Sequence, residues 1–425
     1  MMSAVVRQPI PVVVHQHAEE SAMLRHVRSV LVRAPHVRLH QLRRLDDRIA
    51  AHLDGLAVAG AYGTQVCTAA LERAGTGEVF AVAVRAIEER DDKALDRLIA
   101  LAGALPDAQR GLLSALGWVS ASQLQGIAQA LLASPDALRR EIGIGACRLH
   151  QVDPGAMLAA ALRASEPGLR AAAVRAAGEL GRIDLLEPVL AALGDDDESV
   201  KHHAAMSACL LGDRAASLEA LALAAPRADA QAEPALALLL RALEFAPAQD
   251  FARRIAQDVS TPALERRRIK ACGWLGDPQV VPWLIEHMTG ERLARLAGEA
   301  FSLITGADLA ALDLERKPPE GFEFGPNDDP EDDNVALDED ESLPWPDRDR
   351  VHGWWHAQSA RMSAGVRHFL GAPPAPEHCT RVLREGFQRQ RFAAARWLCL
   401  LSPGSKLFAT AAPAWRQQRR LDPGR

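Results

Sequence analysis

The sequence contains few of the residues that build β-structure. Aromatic side chains make up 4% of its 425 residues and include one tyrosine, Tyr62. Alanine and leucine dominate where a β-protein would be rich in valine, isoleucine, threonine and tyrosine. This composition argues against a β-sandwich or a β-barrel and predicts an all-α protein. Hydrophobic residues, at 48% of the chain, are numerous enough to form a buried core.

Closely spaced cysteines, a leader sequence and long apolar runs are also missing. The six cysteines form no C-x-x-C pair, which argues against a zinc ribbon or a disulfide framework and favours reduced thiols. Arg7, Pro9 and Pro11 interrupt the N-terminal apolar stretch, unlike a signal peptide. No run of about 18 uncharged apolar residues predicts a membrane span. We therefore expect a soluble, cytoplasmic protein that does not enter a membrane.

None of the common catalytic motifs occurs. The sequence has no P-loop, dinucleotide-binding, nucleophile-elbow or zinc-protease motif. It also has no His-Glu dipeptide, the ligand pair that HEAT-fold iron hydroxylases repeat. The pairs His36/His40 and His352/His356 have helical spacing, but no third ligand lies at a sequence spacing typical of a metal site. The acidic run 328–341 lacks the calcium-loop pattern. We predict a non-enzyme without metal or cofactor.

A pattern of apolar and small residues that ends in glycine recurs along the middle of the chain. It recurs in the segments that begin at Leu138, Leu169, Val200 and Leu264. Its offsets lie on one face of a helix, its small residues would let a neighbouring helix approach closely, and its glycine suits the left-handed residue that ends a helix. The period predicts about six or seven helical hairpins of roughly 30 to 33 residues, from about residue 78 to 306.

Each predicted hairpin has a second short helix, most clearly over 183–193 and 279–288, and a degenerate repeat is expected at 232–243. Ser134 and Thr261, each followed by proline, have the chemistry of helix N-caps. One such hairpin cannot bury its own apolar face, so neighbours must stack. The units resemble HEAT repeats of the short, phycobilisome-lyase-like kind. The predicted fold is therefore an α-solenoid of such repeats, with a helical N-terminal cap and a C-terminal helical extension.

The ends of the chain differ from the repeats in pattern and charge. An apolar stripe over 42–56 predicts two helices that cap the first repeat. Residues 320–341 carry eleven acidic and no basic side chains, whereas 381–425 carry ten basic and two acidic ones; docking of the acidic run on the basic tail stays open. The predicted parts are an N-terminal cap (1–77), the repeat array (78–310), an acidic mobile linker (311–345) and a basic helical segment (346–425).

Cysteines and histidines of the predicted repeats are candidates for a role beyond packing. Cys147, Cys209 and Cys272 occupy the small-residue positions of the repeat, which packing explains without reactivity. His202 and His203 are adjacent on a repeat helix, so at least one is expected at the surface.

The cluster of Trp345, Trp354 and Trp355 is the most informative local feature. It either anchors its segment on the last repeats or forms a binding hot spot beside arginines. The second helices of the repeats are the other expected contact face. The candidate partner-binding residues are Trp283, Glu286, His287, Trp345, Trp354, Trp355, Arg361 and Arg367.

Several motifs together resemble a bacterial family of short HEAT-like repeat proteins. They are AAHLDGLAVAG (50–60), GEVFAVAV (77–84), SALGW (114–118), the GELGR repeat (178–182), LPWPD (343–347), GWW (353–355) and GFQRQRFAAA (386–395). Members of this family look like components encoded beside type VI secretion genes, near spike, tip and adaptor genes. The resemblance implies a context and no catalytic residue. This sequence departs from it in its long acidic linker and in His150, where the repeat has glycine.

The expected function is that of a non-catalytic protein-binding scaffold. Its partner would be a secretion effector or a spike or tip component, which it would load, chaperone or neutralise. The charge of −6 and the mixed charge of the repeats argue against nucleic acid. The alternatives are an enzyme on a HEAT scaffold, of the lyase or base-excision type, and a nucleic-acid-binding solenoid. The oligomeric state and the identity of the partner stay open.

Overall fold

The computed structural model describes residues 8–255, 261–322 and 338–422. Within these ranges the chain forms 22 α-helices and no β-strand, so the predicted all-α fold is confirmed. No helix in the described ranges has the length and hydrophobicity needed to cross a bilayer. The chain forms two compact units. Unit 1 contains 1–207, 383–395 and 404–425, and unit 2 contains 208–382 and 396–403.

Unit 1 begins with three helices where the sequence predicts two. These are α1 (Pro11–Leu31), α2 (Leu39–Val58) and α3 (Ala61–Ala70). The predicted apolar stripe lies along α2 and is buried throughout; Leu42, Ile49 and Leu56 are fully inaccessible to solvent. The additional helix begins at Pro11, because a proline at the first helical position lacks only an N–H that would have no partner there.

The predicted alternation of helices follows in unit 1. The first helices of successive hairpins pack on one another, α4 on α6, α6 on α8 and α8 on α10, and one further helix lies between each pair in the chain. An added Cβ at Gly178 would lie 2.4 Å from the Ser207 hydroxyl, so the small residue does permit close helix packing. The helices are α4 (Thr76–Glu89), α5 (Asp92–Ala104), α6 (Pro106–Trp118), α7 (Ile127–Ala133), α8 (Ala137–His150), α9 (Ala156–Ala161), α10 (Pro167–Glu179), α11 (Leu186–Ala191) and the start of α12 (Glu198–Leu211).

Unit 2 continues the alternation. α14 packs on α16 and α16 on α18, around a core that includes Ile269, Leu284 and Phe301. A helix, α14, lies where the sequence predicts a degenerate repeat at 232–243. The helices are α13 (Ala216–Ala224), α14 (Ala232–Ala242), α15 (Phe245–Ile255), α16 (Pro262–Leu275), α17 (Val281–Glu286), α18 (Ala294–Thr305) and α19 (Arg348–Gln358).

Helix starts agree with the sequence in one case and differ in another. Thr261 caps α16 as predicted, since its hydroxyl accepts the Leu264 N–H at 3.3 Å and Pro262 is the first helical residue. The predicted Ser134 cap is wrong. α8 begins later, because the Asp136 carboxylate accepts the Arg139 N–H at 2.8 Å. A carboxylate at this position also interacts favourably with the helix dipole.

Glycines end helices where the repeat predicts them. Gly181, Gly212, Gly276 and Gly306 all have positive φ angles, between 70° and 111°. The segment that begins at Leu138 has His150 in the glycine position and ends differently. Its helix, α8, includes His150, and the next residue, Gln151, takes the left-handed conformation with φ of 56°. His150 is therefore a helical residue rather than a substitute for the glycine.

The C-terminal residues pack on the ends of the repeat helices. In unit 1 the Leu407 N–H donates to the Glu179 carbonyl at the end of α10, at 2.9 Å. In unit 2 the His368 N–H donates to the Gly276 carbonyl at the end of α16, at 2.8 Å. Residues 346–425 thus belong partly to each unit. The last helices are α20 (Pro376–Glu385), α21 (Gln388–Leu401) and α22 (Ala414–Leu421).

Candidate partner-binding surface

The short helix α17 presents three of the candidate residues on one side. Val281, Leu284 and Ile285 are buried in the core of unit 2. The helical period therefore places Trp283, Glu286 and His287 on the other side, where the first and last are half-buried and Glu286 is exposed. Short 3-10 turns flank α17 over Pro278–Val280 and His287–Thr289, which confirms the predicted helical span 279–288.

Trp283 is held between a cation and an imidazole. The Arg268 guanidinium lies 4.3 Å from the centre of the indole, and the His287 ring centre lies 4.0 Å from it. The Nδ1 atom of His287 is 2.9 Å from the Trp283 carbonyl oxygen, and Nε2 is 3.4 Å from a Glu265 carboxylate oxygen. The indole is thus fixed in place although it is only half-buried, which reduces the entropy lost if a partner covers it.

Helix α19 supplies two further tryptophans and packs on α17. The Asp347 carboxylate caps its start by accepting the Asp349 and Arg350 N–H groups, both at 3.1 Å. Val351 anchors the helix in the core. Trp354 contacts Phe301 edge to face, with ring centres 5.6 Å apart. Trp355 is also half-buried against the same core cluster.

An ion pair joins the two helices at the surface. The Arg348 guanidinium lies 2.9 Å from the Glu286 carboxylate. The structure therefore brings together five of the candidate residues on α17 and α19, and adds two cations. We call this the aromatic surface; it consists of Arg268, Trp283, Glu286, His287, Arg348, Trp354 and Trp355. The two arginines are not among the residues predicted from the sequence, although Arg348 lies in the DRDR run that begins α19.

Trp345 and Arg367 have other roles. Trp345 is 7% exposed, and its ring lies between the Arg295 and Arg316 guanidinium groups, at 4.7 and 5.4 Å. Arg367 donates to the carbonyl oxygens of Arg241 and Leu243 at the end of α14, at 2.8 and 3.0 Å. Burial lowers the pKa of Arg367 to about 10. Both placements favour the packing interpretation over partner binding.

Arg361 and the two histidine pairs form none of the contacts of the aromatic surface described above. Arg361 is exposed in the 3-10 turn that follows α19. His352 and His356 are both exposed on α19. His36 precedes α2, which contains His40, so this pair does not share a helical face as predicted. In the part of the chain that the structure describes, no three His, Cys, Asp or Glu side chains are grouped as a metal site.

The two adjacent histidines of α12 and the repeat cysteines contribute to packing. His202 and His203 are both half-buried, so the expectation that one is at the surface is met only in part. All six cysteines are buried free thiols. Burial raises the pKa of Cys209 and of Cys272 to about 12 in each case, which keeps both thiols protonated and unreactive at neutral pH.

The acidic linker contacts helices of unit 2 through residues 338–340. Its central part, 323–337, lies outside the described residues. Asp340 pairs with Arg266 of α16 at 2.7 Å, and Asp338 pairs with Arg295 of α18 at 2.6 Å. Lys270 lies 3.7 Å from Glu339. These carboxylates therefore bind repeat helices, rather than the basic tail that the charge pattern of the sequence suggested as one possibility.

No family model, curated protein or solved structure matches the chain.

Proposed function

We propose that the protein is a non-catalytic scaffold that binds a protein partner through the aromatic surface. The observation that carries the proposal is the grouping of Trp283, Trp354 and Trp355, all half-buried, beside Arg268 and Arg348. Tryptophan and arginine are the residues most enriched at interface hot spots. Large, rigid indoles that are already held in place give much contact area for little loss of entropy.

The scaffold is proposed to be a solenoid of HEAT-like repeats. Support comes from the stacking of alternate helices within each unit. It also comes from the glycines that adopt the left-handed conformation at the positions where the sequence pattern ends. Repeats of this kind expose a long series of short helices, which suits recognition of a folded protein. α17 is such a short second helix, and it contributes Trp283 to the aromatic surface.

The proposed partner is a component of a type VI secretion system, either an effector or a spike or tip protein. This part rests on the sequence motifs that resemble the secretion-associated family. The protein would act as an adaptor or chaperone, and surface complementarity would be its mechanism.

The test is capture with the full-length chain, followed by measurement of affinity for each captured protein. The double variant Trp354→Ala/Trp355→Ala should weaken binding by about 100-fold or more, since hot-spot residues each contribute at least about 2 kcal/mol. Because Trp354 also packs on Phe301, the variant Arg348→Glu should be measured beside it. Arg348→Glu leaves the indoles in place and reverses one surface charge.

The matched control is Leu223→Ala, which removes an apolar side chain that is 77% exposed in the same unit. It should bind the partner as well as the wild type does. Equal affinity of all variants would refute the aromatic surface as the binding site. Failure to capture any partner from cells that express the secretion genes would count against the scaffold proposal as a whole.

A further inference from the structure

Unit 1 contains two neighbouring clefts that share a wall. The first has a volume of about 580 Å³ and lies between the loop after α6 and helix α22; the second has a volume of about 540 Å³. Trp415 and Arg419 of α22 line both clefts. These volumes are within the range of small-molecule sites, roughly 300–1,000 Å³. The aromatic surface proposed above, by contrast, consists of residues of unit 2.

The shared wall carries positive charge that has no matching carboxylate. Arg416 donates to the Gly117 and Val119 carbonyl oxygens, both at 2.9 Å, and Arg420 donates to the His150 carbonyl at 2.9 Å. These bonds give the guanidinium groups neutral acceptors, so the positive charges of Arg416 and Arg420 have no counter-ion among them. Arg419 is exposed and forms no hydrogen bond or ion pair with any described residue.

Burial of Arg416 makes this charge costly. Burial, together with the neighbouring charges of Arg420, Arg419 and Arg28, lowers the pKa of Arg416 to about 10. An anion in the cleft would offset this repulsion, and a dianion would do so more strongly than a single carboxylate.

The acidic side chains at the two clefts already have cationic partners. Glu88, in the first cleft, lies 3.0 Å from the Arg85 guanidinium. Asp422, in the second, lies 3.5 Å from the Arg384 guanidinium. Neither carboxylate forms an ion pair with Arg419.

An aromatic wall adjoins the cations. The rings of Trp118 and Trp415 meet edge to face with centres 4.7 Å apart. Trp118 is buried and Trp415 is half-buried, so the second indole is accessible from the clefts. Ser120 and Ser122, on the loop after α6, also line the first cleft, and their hydroxyl oxygens lie 2.8 Å apart.

We propose that these clefts bind a nucleoside monophosphate, a phosphate monoester whose sugar also carries a flat base. Arg419 pairs with the phosphate, in the field of Arg416 and Arg420. Trp415 contacts the base. Guanidinium groups recognise phosphate through charge-assisted hydrogen bonds.

The test uses three probes with the full-length protein at constant ionic strength: inorganic phosphate, adenosine and adenosine monophosphate. Binding is measured by calorimetry and by change in tryptophan fluorescence. We expect adenosine monophosphate to bind best and inorganic phosphate more weakly. Adenosine should bind least, because it lacks the charge. Arg419→Ala should weaken binding of the monophosphate by about tenfold or more, and Trp415→Phe should weaken it less.

The control is Arg163→Ala, which removes another exposed arginine of unit 1 and should leave binding unchanged. Unfolding curves establish that each variant is folded. The proposal is overturned if Arg419→Ala binds the monophosphate as the wild type does, or if adenosine binds equally well. It is also overturned if the monophosphate shows no binding at concentrations up to about 10 mM. Equal affinity for inorganic phosphate would refute the contribution of the ring.

Discussion

A buried ion pair shows how single residues connect distant parts of unit 1. Asp46 of α2 is fully buried, and its carboxylate lies 2.6 Å from the Arg28 guanidinium of α1. The same carboxylate accepts the Ala414 N–H at the start of α22, at 2.7 Å. Arg28 also donates to the Ala411 and Ala412 carbonyl oxygens, both at 3.0 Å. One charge pair thus stabilises the contact of α22 with the N-terminal helices.

The first prediction concerns this pair. Asp46→Ala should lower the free energy of unfolding by about 3 kcal/mol or more, because it leaves the Arg28 charge buried without a counter-ion. Asp47→Ala is the control, since Asp47 pairs with Arg43 at the surface, where each side chain is 40% or more exposed. That change should cost about 0.5 kcal/mol or less. Urea denaturation compares the two, and equal losses would contradict the prediction.

His203 makes stability depend on pH. Burial, together with the neighbouring Arg175 and His202, lowers its pKa from 6.5 to about 4. Glu179 opposes this shift, and Arg148 adds to it. The folded protein therefore favours neutral His203, while the unfolded chain takes up a proton below pH 6.5. Stability is lost as the pH falls from about 6.5 towards 4.

The second prediction follows from this difference. Between pH 6.5 and 4, the wild type should lose on the order of 2 kcal/mol more stability than His203→Gln, which cannot take up the proton. Chemical denaturation at a series of pH values measures this. His356→Gln, at an exposed position, serves as the control and should follow the wild-type curve. A parallel pH profile for His203→Gln would show that His203 does not titrate as inferred.

At the scale of the helix, the terminal glycines serve two purposes. Gly276 ends α16 with φ of 74°, a conformation that side chains with a Cβ adopt at a cost. It also permits a close backbone contact, because an added Cβ would lie 2.1 Å from the His368 carbonyl oxygen. Gly306, at the end of α18, has the same relation to Leu370, at 2.6 Å. The glycine therefore ends the helix and admits the C-terminal backbone.

The third prediction separates these two effects. Gly365 also has a positive φ, 76°, but no atom lies within 4 Å of the position that an added Cβ would occupy. Gly365→Ala should therefore cost only the backbone strain, about 1 kcal/mol. Gly276→Ala should cost about 3 kcal/mol or more, because a steric overlap with backbone is added. Both positions belong to unit 2, so thermal unfolding compares them directly. Similar costs would mean that the contact with His368 relaxes easily.

At the scale of the whole molecule, the last residues of the chain complete unit 1. Leu407 binds the end of α10, Arg416 binds the end of α6, and Arg420 binds the end of α8. Terminal carbonyl groups of helices have no partner within the helix. The C-terminal residues supply donors to them, which ties three consecutive hairpins to one continuous segment.

The fourth prediction is that truncation after Pro403 opens unit 1. Loss of 404–425 removes the donors at the ends of α6, α8 and α10 and exposes Asp46. Hydrogen exchange should become at least about tenfold faster in α1, α2 and α6, because local opening costs less once packing is lost. Unit 2 provides the internal control, and α16 should keep its protection. Unchanged exchange in α1 and α2 would show that the segment adds little stability.

The amino-acid sequence by itself determined the helical class and several of the helix ends. These follow from local rules: the 3.6-residue period of Leu42 to Leu56, the glycine column, and the hydroxyl cap at Thr261 all act within one or two turns of helix. The prediction failed at Ser134, where Asp136 competes for the same local role. It was incomplete for the N-terminal helices, because the apolar stripe of α1 is weaker than that of α2.

Only the tertiary structure decided which candidate side chains share a surface. Trp345, Trp354 and Trp355 look equivalent in the sequence, yet the first is buried between two arginines and the others are half-buried on α19. Arg367 is a candidate binding residue in the sequence and Arg416 belongs to its basic C-terminal segment, but each donates to the end of a helix far away in the chain. The physical reason is that burial and capping depend on contacts between residues distant in sequence. No local period or motif records those contacts.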